Sequence, residues 1–240
     1  MKTLFIAHRG YAKKERENTV PAFRNAANDN YAYGIETDVH QTADGVLIIS
    51  HDANVTRVSG GMDNTNLEEA SYDVVSKIRL PGLDGIVRDD LYIPRLYEYI
   101  DICKAGKKKA VCELKQLFSL EKIEEIVNLF KEKQMLDDVI FISFIKENIV
   151  NVRKINKSLK IQLLLDKWSK EEIAFLLENR FDLDINFHSV DEKLVNLCHQ
   201  HNIIVNCWTV NNKEDALRLA NMGVDMITSD CLNAMILEEE

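Results

Sequence analysis

Short apolar runs rich in β-branched residues recur along the chain, separated by longer stretches whose apolar positions fall three and four apart. The first kind reads as strand and the second as amphipathic helix. Eight runs are strand candidates: Thr3–Ala7, Gly34–Val39, Ala110–Lys115, Val139–Phe144, Ile161–Leu165, Asp182–Phe187, Ile203–Trp208 and Asp225–Ser229. Helical periodicity fills the gaps at Pro21–Asp29, Pro94–Ala105, Leu120–Met135, Lys146–Asn156, Lys170–Asn179, Val190–His201 and Lys213–Met222. Capping-box spacing at Ser169/Glu172 and Ser189/Glu192 marks two helix starts, and Gly223 marks a helix end. Strand and helix in strict alternation predict βαβ units on a parallel sheet.

One stretch breaks the rhythm. Asp44-Gly45 is a tight-turn signal, and the apolar run Val46–Ser50 follows it, so a hairpin is expected on the second strand. From 52 to about 92 the chain is irregular and polar, with Gly60-Gly61 and Pro81-Gly82. This segment reads as a small insertion over one end of the fold. Eight strands also suit an open, doubly wound sheet. A Gly-rich nucleotide turn is missing, however, and the polar residues gather at strand ends. Both features favour a (β/α)8, or TIM, barrel formed by one domain spanning 1–240.

Composition narrows the partners. The 240 residues carry 39 acidic and 30 basic side chains, a net charge of −9, which disfavours a nucleic-acid partner. No apolar run approaches the length of a membrane span, so stable membrane insertion is not expected. Cys103, Cys112, Cys198, Cys207 and Cys231 are odd in number and lack CxxC spacing, which points away from disulfides and zinc and towards a reducing, cytoplasmic setting. The apolar run that opens the chain already reads as a strand and leaves no room for a signal peptide.

In a barrel the chemistry gathers at the C-terminal ends of the strands. The first strand runs into His8-Arg9-Gly10, and the second carries Glu36 and Asp38, two apart and therefore on one face. The hairpin strand ends in His51-Asp52, the third barrel strand carries Glu113 and Lys115, and Phe144 and Trp208 close two later strands. Three carboxylates, Glu36, Asp38 and Glu113, make an all-oxygen set suited to one hard divalent cation, Mg²⁺ or Ca²⁺. His8 and His51 supply an acid and a base near neutral pH, and Arg9 and Lys115 a clamp for phosphate. Cation, paired histidines and basic clamp together describe phosphoester cleavage.

In order along the chain stand His8-Arg9-Gly10, Glu17-Asn18-Thr19, Glu36-x-Asp38, Thr42-x-Asp44-Gly45, His51-Asp52 and Glu113-Leu114-Lys115. Ser143-Phe144, Trp208-Thr209-Val210-Asn211 and Gly223-Val224-Asp225 follow them. Over nearly its whole length the sequence resembles the glycerophosphodiester phosphodiesterase family. The resemblance implies a (β/α)8 barrel with a small insertion near the second strand. It also implies one divalent cation on Glu36, Asp38 and Glu113, and acid/base histidines at His8 and His51. The implied reaction is hydrolysis of a small-molecule glycerophosphodiester to glycerol 3-phosphate and an alcohol. Three departures stand out: Arg16 where the family often has Pro, Ile145 where Asp commonly follows Ser-Phe, and Ser229-Asp230 for Thr-Asp with no Pro after it. The first lies in the charged loop Lys13–Glu17 and bears on the pocket rim and head-group choice.

Other polar residues have plainer readings. Asp52 and Asp230 are expected as turn or cap residues, His40 as a solvated loop residue and Lys107–Lys109 as a solvated turn. His188, His199 and His201 sit on the helical side and need no function. Asn18 or Thr19 caps the first helix, while Glu17 either reaches the site or only opens that helix. Phe144 and Trp208 line the glycerol or alcohol region or belong to the core. Two rival functions remain: a phospholipase D-like enzyme on lyso- or sphingophospholipids, and a barrel that binds without catalysis.

Overall fold

The computed structural model describes residues 3–237. Nine strands form one sheet: β1 (Leu4–Ala7), β2 (Gly34–Gln41), β3 (Leu47–Ile49), β4 (Lys109–Leu114), β5 (Val139–Ser143), β6 (Lys160–Leu165), β7 (Asp182–Asn186), β8 (Val205–Trp208) and β9 (Met226–Ser229). Eight of them close a parallel barrel in the order β1-β2-β4-β5-β6-β7-β8-β9, with β1 pairing both β2 and β9. β3 lies outside this cycle, antiparallel to the end of β2 through the turn at Gly45, whose φ of +85° suits glycine. The expected barrel and hairpin are both present.

The helices α1 (Val20–Ala27), α2 (Tyr72–Val75), α3 (Leu96–Gly106), α4 (Leu120–Glu132), α5 (Lys146–Ile155), α6 (Lys170–Asn179), α7 (Glu192–Gln200) and α8 (Lys213–Met222) follow in chain order. All but α2 alternate with the barrel strands. Thr19, Ser119, Ser169 and Asn212 each cap a helix by accepting a backbone N–H from the first turn. The Ser189/Glu192 signal misplaces the start of α7. Asp191 is the cap there, accepting from Leu194 N at 2.8 Å, because an ionised carboxylate is the stronger acceptor for an orphan N–H.

Period-2 alternation sorts each strand's side chains. Ile35, Val39, Cys112, Leu163, Leu183, Val205 and Ile227 point outward into the main core beneath the helices. Ile6, Val111, Ile140, Ile142, Leu164 and Met226 form a smaller cluster in the lumen. The lumen is only half apolar. Gln162, Asp184, Asn206 and Thr228 are buried on its β6–β9 side, beside Glu36, Asp38 and Glu113 on β2 and β4.

Two expectations need correction. The segment 52–92 is not merely polar. Val55, Val58, Leu67, Val75, Ile78, Leu80 and Leu91 pack with Ile48 and Ile93 into a core of their own, built around α2. Its scattered apolar residues follow no helical or strand period, which is why the sequence hides it. Nor is Lys107–Lys109 a solvated turn throughout. Lys108 is buried, and its Nζ donates to the carbonyls of Asp29 and Ala32, the latter at 2.7 Å. A flexible four-carbon stem lets an ammonium sink among backbone acceptors that a sequence does not display.

At the bottom of the barrel, burial pushes the Asp182 carboxyl up to about 6 from its ordinary 3.8. The unfolded chain releases this proton first, so the folded state loses stability as pH rises from about 4 to about 6, then levels off. Asn at this position still accepts the N–H of Ile204, which Asp182 Oδ1 receives at 2.9 Å. Asp182→Asn is therefore expected to be more stable than wild type by about 1 kcal/mol at pH 7, the gap shrinking towards pH 4. Thermal melts across that range test it; a constant gap would point to packing instead of charge.

Candidate functional site

The top of the barrel brings together most of the residues singled out in the sequence. His8, Arg9, Glu36, His51, Glu113, Lys115, Phe144 and Trp208 line one pocket of about 100 Å³, joined there by Asp184. Asp38 sits just behind, fully buried.

Gly10 is what lets the first strand turn. Its φ is +79°, and a Cβ there would lie 2.7 Å from the carbonyl carbon of Ala22. The close approach to α1 holds His8 and Arg9 at the strand end, where Arg9 itself takes a positive φ of 49°. Gly10→Ala is expected to lower kcat/KM by about 100-fold and to reduce Tm by several degrees, as shifts of under an ångström at reacting groups can cost that much. Steady-state kinetics and a melt test it.

The carboxylates Glu36, Asp38 and Glu113 converge, one oxygen of each lying within 4.8 Å of the others. Register does this: Asp38 stands opposite Glu113 across β2 and β4, and Glu36 precedes Asp38 by two. Burial opposes charge on all three. It pushes Glu36 well above the usual carboxylate range, with the charges of Asp38 and Glu113 adding to the effect. Burial and Asp38 likewise push Glu113 up to about 8. Burial acts on Asp38 too, but Arg9 and Lys115 overcome it and hold that group ionised. Arg9 Nε lies 3.2 Å from Asp38 Oδ2, and Lys115 Nζ lies 3.0 Å from Glu113 and 3.5 Å from Asp38. Asn18 Nδ2 donates to Asp38 Oδ2 at 2.7 Å, whereas Asp38 Oδ1 is buried with no hydrogen-bond partner. A buried carboxylate oxygen with no hydrogen bond and only an ion pair to Lys115 at 3.5 Å, beside two carboxyls that resist ionisation, fits a hard cation.

Each histidine has its own carboxylate. His8 Nδ1 is 2.6 Å from Asp230 Oδ1, and Asn211 holds the other oxygen of Asp230 at 2.6 Å. His51 Nδ1 is 2.7 Å from Asp52 Oδ1, and Arg57 holds the other oxygen of Asp52 at 2.6 Å. Ionised Asp230 and Asp52 accept from Nδ1–H, which leaves both Nε2 atoms for chemistry. Burial lowers the His51 imidazole below its ordinary value, aided by Arg9 and Lys115 and opposed by Asp38 and Asp52. These two aspartates, expected as caps, orient the histidines instead. Asp52 has a local signal, its place next to His51; Asp230 has none, since 222 residues separate it from His8.

His40 is another correction. It is buried, with Nδ1 2.6 Å from Glu68 and Nε2 3.3 Å from the carbonyl of His51. The inserted segment covers it, an effect of tertiary contact that β2 alone does not reveal. Glu17 reaches inward, bridging Arg9 at 2.9 Å and Arg57 at 2.8 Å. Thr19, not Asn18, caps α1. Arg16 donates to the carbonyls of Pro81 and Gly82 at 2.6 and 2.9 Å, so the departure from Pro ties the Lys13–Glu17 loop to the insertion. Phe144 and Trp208 meet edge to face at 5.7 Å, Phe144 lying 44% exposed at the mouth.

A family model described as the glycerophosphoryl diester phosphodiesterase family matches residues 8–234. The chain belongs to that family. It is an enzyme of phosphodiester hydrolysis. A glycerophosphodiester phosphodiesterase of Caldanaerobacter subterraneus subsp. tengcongensis is 32% identical to it over 96% of this chain and 95% of that one. A crystal structure of a glycerophosphodiester phosphodiesterase from Parabacteroides distasonis is 26% identical, with a TM-score of 0.82 over 99% of this chain and 96% of that one. The fold also matches an Oleispira antarctica phosphodiesterase solved with its product sn-glycerol 3-phosphate, at 22% identity and a TM-score of 0.88, covering 98% of this chain and 95% of that one. Departures from the family's motifs at Arg16, Ile145 and Ser229 leave every expected acid, base and carboxylate in place.

Proposed function

We propose that this family member hydrolyses glycerophosphodiesters to glycerol 3-phosphate and an alcohol, with His8 and His51 as its acid/base pair. The observation that carries the proposal is one pocket lined by two carboxylate-held imidazoles, two basic side chains and part of a buried acidic trio. Glu36, Asp38 and Glu113 would hold one divalent cation, Mg²⁺ or Ca²⁺. When bound, that cation supplies Lewis-acid neutralisation of the phosphoryl oxygens.

The chain's own groups do the rest. Arg9 and Lys115 attract and orient the phosphodiester anion, against the overall negative field of the protein. One imidazole takes the proton from the nucleophile through its free Nε2, and the other gives a proton to the departing alkoxide. Asp230 and Asp52 fix the tautomer in each case, so neither ring must reorganise as the reaction proceeds. Phe144, packed edge to face on Trp208, forms the apolar wall at the mouth, past which the alcohol departs.

The substrate class is supported further by the product seen in the Oleispira antarctica relative. Among the described residues no helix is long and apolar enough to cross a membrane. The cytoplasmic setting proposed for the chain is supported by five unpaired thiols, four of them buried. Glycerophosphocholine with Mg²⁺ or with Ca²⁺ is expected to yield glycerol 3-phosphate, followed by phosphorus NMR. A transient cyclic phosphate would exclude direct water attack as the sole route. Product-free spectra with both cations would overturn the proposal.

A further inference from the structure

Trp208 Nε1 and Asp184 Oδ1 are both buried, both lack a hydrogen-bond partner, and both belong to residues lining the catalytic pocket. Asp184 is 2% exposed and sits on β7; Trp208 is on β8, where Asp184 pairs in register with Asn206, two residues before Trp208. Their side chains therefore enter the lumen from adjacent strands, one step apart along the barrel axis. Asn206 bonds to the Asp184 carboxyl, which leaves Oδ1 as the oxygen without a partner. Asn206 directs its Nδ2 to Thr228 Oγ1 at 3.1 Å and to Gln162 Oε1 at 3.5 Å, while Ile142 and Leu164 supply apolar walls. Asp184 is also outside the carboxylate trio that lies within 4.8 Å.

A buried acid with a free oxygen and a buried indole N–H with nothing to receive it, both in one pocket, are costly to keep without a ligand. The pair presents an indole that only donates and a carboxyl oxygen that receives a hydroxyl proton. A ligand arm with adjacent hydroxyls satisfies both at once. Resting on the function proposed above, we propose that Asp184, with Trp208, forms a hydroxyl-binding floor that selects the glycerol arm of the substrate. The arm's hydroxyls bond to these two groups, the phosphate stays at Arg9 and Lys115, and the alcohol arm leaves past Phe144. The small pocket, only a few water molecules in volume, admits a three-carbon arm and leaves a bulky head group outside.

Calorimetric titration with sn-glycerol 3-phosphate and with propyl phosphate, which lacks the hydroxyls, tests this in the presence of Mg²⁺. Wild type is expected to prefer glycerol 3-phosphate by about 10- to 100-fold, the loss typical of leaving a buried polar group unpaired. Asp184→Leu is expected to reduce the preference to about threefold or less, and Asp184→Asn, which keeps a polar oxygen, to retain most of it. An Asp184→Leu protein that keeps the wild-type preference, or that weakens both ligands equally, would overturn the subsite. Wild type that hydrolyses glycerophosphocholine yet shows no preference would do so too, leaving the activity standing. Wild type that neither hydrolyses glycerophosphocholine nor binds either ligand would overturn the activity and the subsite together.

Discussion

His51→Ala is expected to lower kcat by about a thousandfold with little change in Tm, the loss usual for a positioned acid or base. The argument rests on how His51 is held. Its Nδ1 is 2.7 Å from Asp52, its ring lines the pocket, and burial keeps it uncharged near neutrality, ready to take up a proton at Nε2. Alanine removes this group while leaving the surrounding anchors intact, since the insertion is fastened independently by its own apolar core and by Arg57 on Glu17. Asp52→Ala, which takes away only the orienting carboxylate, should cost about tenfold. The comparison distinguishes the two roles: similar losses in both variants would mean that the loop, and not the imidazole, matters. Near-wild-type turnover in the His51 variant would remove it from the mechanism.

Glu113→Gln carries the second large effect, and it has two signs. Activity is expected to fall by about a thousandfold, because the proposed cation loses one of three carboxylates and phosphoryl charge goes unneutralised. Metal-free stability should move the other way. The unfolded Glu113 carboxyl gives up its proton near the ordinary 4.5, whereas burial and Asp38 delay this to about 8 in the fold. Between those values the folded state binds the extra proton, so wild-type stability declines as pH rises across that window. Glutamine has no proton to lose there and its amide oxygen still accepts from Lys115. Metal-free Glu113→Gln should therefore exceed wild type by about 1–2 kcal/mol at pH 8, and by little at pH 4.5. Adding Mg²⁺ or Ca²⁺ at about 100 times its dissociation constant should stabilise wild type by about 2.7 kcal/mol and the variant far less. Melting curves with and without cation measure all of these differences. A variant stabilised by cation as strongly as wild type would place the ion elsewhere.

These two sites illustrate how such a barrel balances function against stability. Three carboxylates packed within 4.8 Å would not be kept for the fold alone, since each resists burial in its charged form. The surrounding cations reduce the strain only partly: Arg9 and Lys115 hold Asp38 ionised, while burial still keeps Glu36 and Glu113 above the usual carboxylate range. The site is arranged for an occupant.

The alternation of strand and helix was legible because its causes are local. Side-chain parity puts Ile35 and Val39 on one face of β2 and Glu36 and Asp38 on the other, and Asp44-Gly45 can hardly be anything but a turn. Candidate groups at strand ends followed from the same parity, and Glu36, Asp38, Glu113, His8 and His51 do lie together. Residues whose roles depend on a distant partner were misread. Asp230 finds His8 only when β9 closes against β1, and His40 is buried only when Glu68 folds over it from the insertion. Asp184 reads as an ordinary strand residue until barrel closure turns it towards Glu113 and away from water. Sequence by itself determined which face each barrel-strand residue takes and the alternation of strand with helix, because short-range sterics and hydrogen bonding set these. Only the tertiary structure decided which buried acids meet a partner, because the cost of a buried charge depends on what the rest of the chain brings to it.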